Sequence, residues 1–320
     1  MALRWYQEDL SQGVGEVFLQ GYRRILAVLP CGGGKTFTAV DICKDHKKIL
    51  WLAHRKHLLC QAEQSFKASN RHDVIYHSIF ADPDQSWGHF DLVVLDEAHH
   101  ESCRTARQLL DKIKFNKLLG LTATPEREDN SILFFDAQVL GISMDKLIDM
   151  GFLTQPWAYT IRCHGGIVRS LTSWANNHLD IIGRTIVFTK TVEEAREFQR
   201  HLHTTSEVVH AESNKVKQLD DYQAGKTQVL LSCLILTEGT DLPCTQSIII
   251  ARNCQSKPML TQIVGRGMRL YDGKDHCNLI EWMTYSTIKK ILIKEVLRPR
   301  KRLVSSRGKD GWATRELSAV

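Results

Sequence analysis

Short apolar runs rich in Ile, Leu and Val alternate with segments whose apolar residues recur at helical spacing, and the alternation occurs twice along the chain. Buried strands interleaved with helices specify a parallel sheet covered on both faces. In the first half the strand candidates are Ile25–Leu29, Ile49–Ala53, Val74–Tyr76, Leu92–Leu95 and Leu118–Leu121. The helical stripes between them include Leu58, Leu59, Ala62 and Phe66, then Ala106, Leu109, Leu110 and Ile113. The stretch 123–157 breaks this rhythm and reads as a connector with a short helix closing at Gly151. The second series is Trp157–Arg162, Thr185–Thr189, Glu207–His210, Val229–Ser232, Ser247–Ala251 and Asn278–Glu281, with a stripe at Val192, Ala195, Phe198 and Leu202. The expected fold class is therefore α/β, with two tandem domains that each carry a parallel sheet with helices on both faces. The expected limits are 1–140 for the first domain, 141–157 for the linker, 158–297 for the second domain and 298–320 for a basic tail.

Two constellations sit where such a sheet would place ligands. Pro30-Cys31-Gly32-Gly33-Gly34-Lys35-Thr36 follows the first strand directly and opens a helix. Glycines there let backbone N–H groups turn toward a phosphate, and the helix N-terminus adds its positive dipole end. Lys35 can reach the β- and γ-phosphates, and the Thr36 hydroxyl can bind Mg²⁺. Leu29 stands where the G-x-x-x-x-G-K-[ST] pattern has its first small residue. About 60 residues on, the apolar run Leu92–Leu95 delivers Asp96 and Glu97 at a strand's C-terminal edge, where open parallel sheets bind their ligands. Asp96 is suited to hold Mg²⁺, largely through its water shell. Glu97 is suited to orient and deprotonate an attacking water.

With these residues the chain resembles the superfamily 2 helicases and translocases whose second motif is lettered DEAH, here residues 96–99. The resemblance runs from Leu3 to about Leu270, with the motifs in family order. Arg4, Tyr6 and Gln7 (LRWYQ) resemble the upstream element that recognises adenine. LAHRKHLLCQ (52–61) resembles motif Ia, although His57 stands where an acidic residue is more usual. Thr122-Ala123-Thr124-Pro125 resembles motif III, and IVFTK (186–190) resembles motif IV. Thr237–Pro243 resembles motif V, and Gln262–Arg269 fits Q-x-x-G-R-x-x-R, motif VI.

The resemblance implies two RecA-like domains with ATP and Mg²⁺ bound on the first, in a cleft that the second closes. Lys35, Glu97, Gln262, Arg266 and Arg269 would form the catalytic set, the two arginines neutralising charge on the γ-phosphate. Arg4, Tyr6, Gln7, Pro30, Gly32, Gly33, Gly34, Lys35, Thr36, Gly239 and Asp241 would bind the nucleotide, and Thr36 and Asp96 the metal. His99, Thr122 and Thr124 would couple hydrolysis to domain movement. Arg55, Thr189 and Thr237 would contact a nucleic-acid strand. LAHR, LTATP and the motif VI pattern are nearer the DNA-repair and restriction-type members than the RNA-remodelling ones, so DNA is favoured over RNA.

The implied activity is an ATP-dependent helicase or translocase. The alternatives are a duplex-DNA translocase, an annealing or branch-migrating motor without processive unwinding, and a viral accessory helicase; an RNA helicase ranks below them. A P-loop kinase or small-molecule NTPase would leave motif VI and the second domain without purpose. A motor subunit of a restriction or repair complex differs only in its partner, a protein supplying nuclease or loading activity.

Charge is uneven. Ten Lys/Arg against three Asp/Glu lie from Lys289 onward, whereas the preceding residues hold 32 basic and 33 acidic groups. Ile288, Ile291, Leu292 and Val296 suggest a helix packed on the second domain, after which Arg298–Arg302 would stand free for a polyanion or simply solvated. Hydrophobic residues at 43% and charged residues at 24% exclude wholesale disorder. No apolar run approaches the ~20 residues of a membrane helix. The nine cysteines include no C-x-x-C pair and read as reduced structural thiols. MALRWYQEDL carries charges and aromatics where a signal peptide needs an apolar stretch, so the expected location is the cytoplasm (the nucleoid or host cytoplasm for a viral protein), not secretion.

Overall fold

The computed structural model describes residues 2–80, 87–98, 103–124, 135–163, 165–233, 236, 241–283, 291–297, 301–308 and 311–316. The chain divides into two units, Met1–Met144 and Asp145–Val320.

In the first unit the elements run α1 (Trp5–Leu19), β1 (Arg24–Val28), α2 (Lys35–Ile42), β2 (Ile49–Ala53), α3 (Lys56–Ala68), β3 (Val74–Ser78), β4 (His89–Leu95), α4 (Cys103–Leu110), β5 (Lys114–Thr122) and β6 (Ala137–Leu140). The strands form one sheet in the order β3-β2-β4-β5-β1-β6, and every pairing is parallel. All five residues of β2 are buried, as are four of the five in β1. A strand covered on both faces must be apolar at every position, so these were legible as continuous runs. The edge strand β6 has no such run: its four residues alternate between half-buried and exposed, and periodicity alone misses it. One face packs Leu50, Leu52, Val93 and Leu95 against Ala106, Leu109 and Leu110 of α4. In α1, Tyr6, Leu10, Val14 and Phe18 are buried at helical spacing.

In the second unit the elements are α5 (Met144–Asp149), β7 (Gln155–Arg162), α6 (Ile167–Asn176), α7 (Leu179–Ile182), β8 (Thr185–Thr189), α8 (Val192–His201), β9 (Ser206–Val209), α9 (Lys215–Gln223), β10 (Val229–Ser232), β11 (Ser247–Ala251), α10 (Lys257–Gly267), β12 (His276–Met283), β13 (Lys301–Gly308) and β14 (Gly311–Glu316). The short helix expected within 141–157 is α5, and the turn after it passes through Gly151 at φ 72°. The sheet order is β14-β13-β7-β12-β11-β8-β10-β9, parallel except for the terminal hairpin β13–β14. A capping box starts α8: the Glu194 N–H donates to Thr191 Oγ1 at 3.2 Å, and the Thr191 N–H donates to Glu194 Oε2 at 3.3 Å. Trp174, Phe198 and Trp282 fill the core beside Val187, Leu231 and Ile249. Among the described residues no helix is long and apolar enough to cross a membrane.

The C-terminal region departs from the sequence expectation in two ways. Residues 291–297 hold no α-helix; Ile293–Glu295 is a single 3₁₀ turn, and Ile288 lies outside the described residues. The cause is tertiary. The Ile291 N–H donates to the Cys254 carbonyl at 2.8 Å and the Ile293 N–H to Glu281 Oε2 at 3.0 Å, so the sheet claims the backbone groups that an α-helix would use. Of the segment expected to stand free, residues 298–300 lie outside the described residues, and Lys301 and Arg302 instead open β13 beside β7, with Lys301 opposite Trp157 and Ser305 opposite Ile161. An uncovered β7 would present a row of unpaired backbone groups, which a sheet edge satisfies by recruiting another strand. Truncation after Leu297 is therefore expected to lower the melting temperature by several degrees, since about 1 kcal/mol shifts it by ~2–4 °C in a domain of this size. Thermal denaturation of the truncated chain measures this; an unchanged midpoint would return the tail to a solvated appendage.

Candidate active site

The phosphate loop spans the six residues between β1 and α2. Gly34 is the N-cap of α2, in the left-handed region at φ 90°, and no side chain caps the helix. The N–H groups of a helix's first turn have no intrahelical acceptor, so here they face outward as an anion cradle. Gly34 is doubly constrained, because a Cβ there would collide with Gln7 Nε2. Gln7 itself is buried. Its Nε2 donates to the Gly33 carbonyl at 2.8 Å and its Oε1 accepts from the Arg4 N–H at 2.9 Å. The glutamine expected to read adenine thus braces the loop against the start of α1. Arg4 Nη1 reaches the Tyr6 hydroxyl at 3.2 Å. Leu29, the departure from the phosphate-loop pattern, is buried, and its side chain would meet a Cβ on Gly33 at 2.9 Å. A leucine is tolerated at that position because a glycine opposes it.

β5 lies between β4 and β1, so the ends of these three adjacent strands bring the motifs together. Lys35 Nζ lies 3.4 Å from Glu97 Oε1, with both side chains only 12% exposed. Burial opposes the charged lysine, but the carboxylates of Glu97 and Asp96 outweigh it and hold the ammonium above the usual lysine range. Asp96 is buried, and its Oδ1 accepts the Glu97 N–H at 2.9 Å. Glu97 has a left-handed backbone, φ 51°, uncommon for a residue other than glycine and shared among the described non-glycine residues only by Asn70. The Ala98 N–H donates to the Leu121 carbonyl at 2.8 Å, which fastens the DEAH turn to the end of β5. There Thr122 Oγ1 donates to the Thr124 carbonyl at 2.7 Å and accepts the Thr124 N–H at 3.1 Å. His99 lies outside the described residues. Arg55 is the N-cap of α3, with Nε 3.3 Å from His54 Nε2.

In the second unit, Gln262 and Arg266 lie on α10, with Gln262 buried. Ser256 caps this helix by accepting the Met259 N–H at 3.3 Å. Arg269, just beyond the helix, forms an ion pair with Asp241, so motifs V and VI meet. Asp241, expected to bind nucleotide, keeps its side chain largely exposed beside this arginine. Thr189 is fully buried, and its hydroxyl donates to the Thr191 carbonyl at 2.9 Å, which turns it away from a direct strand contact. Thr237 and Gly239 lie outside the described residues. Two residues absent from the sequence reading hold the turn after α10: Thr154 and Lys274. The available signal was Gly273-Lys274, a lysine set on a turn just past a helix end.

A phosphate loop, an Asp–Glu pair at the end of the next strand but one and a separate arginine-bearing unit define a P-loop nucleoside triphosphatase of tandem build. Comparison with known proteins gives the family. Residues 1–86 and 75–127 match the type III restriction enzyme res subunit family, and residues 168–271 match the helicase conserved C-terminal domain. The chain belongs to the superfamily 2 helicases of restriction type. It is 26% identical over 89% of its length to the Saccharomyces cerevisiae protein named as ATP-dependent helicase IRC3, covering 52% of that protein. It is 26% identical over 83% of its length to the Escherichia coli type I restriction enzyme EcoAI endonuclease subunit, covering 44% of it. The chain thus spans about half the length of these curated relatives. In fold it is similar to a fragment named for the HsdR subunit of a type I restriction enzyme from Vibrio vulnificus YJ016, with a TM-score of 0.76 at 24% identity, over 95% of this chain and 69% of that one.

Proposed function

We propose that the chain is an ATP-driven motor on DNA, hydrolysing ATP at the phosphate loop under the control of the second unit's arginines. The observation that carries this reading is the buried Lys35–Glu97 pair beside Asp96, at the ends of strands flanking β5. The residues suit nucleotide and metal: the uncapped α2 amides offer a phosphate cradle, and the Thr36 hydroxyl and Asp96 carboxylate are hard oxygen donors of the kind Mg²⁺ takes. Mg²⁺ there would neutralise phosphate charge. Lys35 exchanges the Glu97 carboxylate for phosphate oxygens when ATP binds, which releases Glu97 to take a proton from the attacking water. Arg266 and Arg269 then act as arginine fingers, so turnover requires the second unit. Thr122 and Thr124, joined to the DEAH turn through Ala98, pass the state of the site to the rest of the first unit.

Restriction-type relatives support DNA as the track, with motif Ia, through Arg55, gripping one strand by its phosphates. They also support a partner chain that supplies nuclease or loading activity. The test is an ATPase panel with single-stranded DNA, duplex DNA, forked DNA and RNA. Stimulation by DNA above RNA is expected; a rate indifferent to every nucleic acid would remove the motor reading and leave a small-molecule NTPase. The basic tail adds affinity in this reading. Changing Arg298, Arg300, Lys301 and Arg302 to Gln should flatten the salt dependence of DNA binding by up to about four phosphate contacts, each worth ~0.9 log unit per log unit of salt. An unchanged slope would deny the tail a phosphate contact.

A further inference from the structure

The C-terminal turn of α10 is held by Lys274, which follows shortly after it, and by Thr154, 115 residues before Arg269. Lys274 Nζ donates to the carbonyls of Gly267 at 2.6 Å, Arg269 at 3.0 Å and Pro243 at 3.3 Å. Thr154 completes the grip: its N–H donates to the Met268 carbonyl at 2.8 Å and its hydroxyl to the Arg269 carbonyl at 2.9 Å. Both side chains are buried. A lysine ammonium has three N–H donors, and all three are spent on backbone carbonyls, so none is left for a ligand. Burying an ammonium without a carboxylate is costly, and burial indeed holds Lys274 below the usual lysine range. A fold that needed only a helix terminus here could use glycine and water. The ammonium instead spans two motifs, because Pro243 ends motif V while Gly267 and Arg269 belong to motif VI. Where Lys274 pulls on the main chain, the Arg269 side chain leaves the same residue toward Asp241 of motif V.

We propose that Lys274 is a positioning residue that clamps the end of motif V to the end of α10 and thereby fixes the direction of Arg269. It acts through that arginine and touches no substrate. The proposal rests on the arginine-finger reading above. It predicts that loss of the ammonium impairs the hydrolytic step while ATP binding on the first unit survives.

The experiment measures steady-state and single-turnover ATP hydrolysis by the full chain with linear plasmid DNA, for Lys274→Met, Thr154→Val, Arg269→Ala and the Lys274→Met/Arg269→Ala double variant. Lys274→Met should lower kcat roughly tenfold or more and leave KM for ATP within about threefold. In the Arg269→Ala background the same change should cost less than about twofold, because residues acting through one another are non-additive. An equal loss in both backgrounds marks a merely structural lysine and overturns the proposal, as does a Lys274→Met enzyme with normal kcat. Should Lys274→Met fail to fold, Thr154→Val removes only the hydroxyl bond to Arg269; a fall in kcat that vanishes in the Arg269→Ala background supports the clamp, and its absence overturns it. If Arg269→Ala alone hydrolyses normally, the arginine reading and the clamp fall together; if it is dead while Lys274→Met is normal, the clamp alone falls.

Discussion

Glu97→Gln is expected to bind ATP as the native chain does and to lose hydrolysis by two to four orders of magnitude, the scale of a missing general base (~10²–10⁴). The amide keeps the size and hydrogen-bonding reach of the carboxylate, and Asp96 with Thr36 still offers the metal its oxygens, so the loss falls on water activation. Lys35→Ala should instead weaken nucleotide binding by about tenfold to a hundredfold, since a hydrogen bond to a charged group contributes ~1.5–3 kcal/mol. Nucleotide binding followed by fluorescent-analogue titration, beside the DNA-stimulated rate, separates the two. Full-strength turnover by Glu97→Gln, or undiminished binding by Lys35→Ala, would reverse the assignment. The pair also fixes a pH expectation. Lys35 is held above its ordinary 10.5 by the two carboxylates, against burial. The stability this raised value contributes is fully present below 10.5 and is lost only as pH rises through the higher folded value. Turnover near neutrality therefore does not titrate with Lys35.

Arg266→Ala and Arg269→Ala are each expected to lower DNA-stimulated kcat by a hundredfold or more, toward the ~10³–10⁵ that an arginine finger contributes, with a much smaller change in KM for ATP. Asp241→Asn breaks the ion pair with Arg269 and should cost far less, because the partner is exposed and solvent screens the attraction. A rate within twofold of native in both arginine variants would show that the first unit hydrolyses ATP unaided. Comparison of kcat across the three variants decides whether the second unit supplies chemistry or only binding.

The phosphate loop, the Asp96-Glu97 pair and the Gln262–Arg269 pattern were legible because each needs a fixed local order of residues, whereas the helix α10 that carries the last was not read from the sequence. The central strands were legible because burial on both faces forces continuous apolar runs, as in Ile49–Ala53 and Ser247–Ala251. The edge strands β6 and β14, and β13 beside β14, were not. Their pairing is decided by a neighbour's unpaired backbone, which leaves little trace in side-chain pattern. The same holds for residues 291–297, where an apolar spacing that fits a helix is overruled by Glu281 and Cys254 claiming the backbone.

What the sequence determined by itself is the chemistry: glycines that expose amides, a lysine at a helix start, two carboxylates after an apolar strand, and arginines at helical spacing. Tertiary structure alone decided which of these groups face one another. It gave Gln7 to the phosphate loop, Asp241 to Arg269, the Thr189 hydroxyl to its own turn, and Lys274 to three carbonyls. The Thr189 bond is local, but the others join residues up to 31 apart in sequence, as Lys274 and Pro243 are, and those long-range bonds exist only because separate elements end at the same place. Residue type fixes what a side chain can donate or accept; only packing fixes to whom.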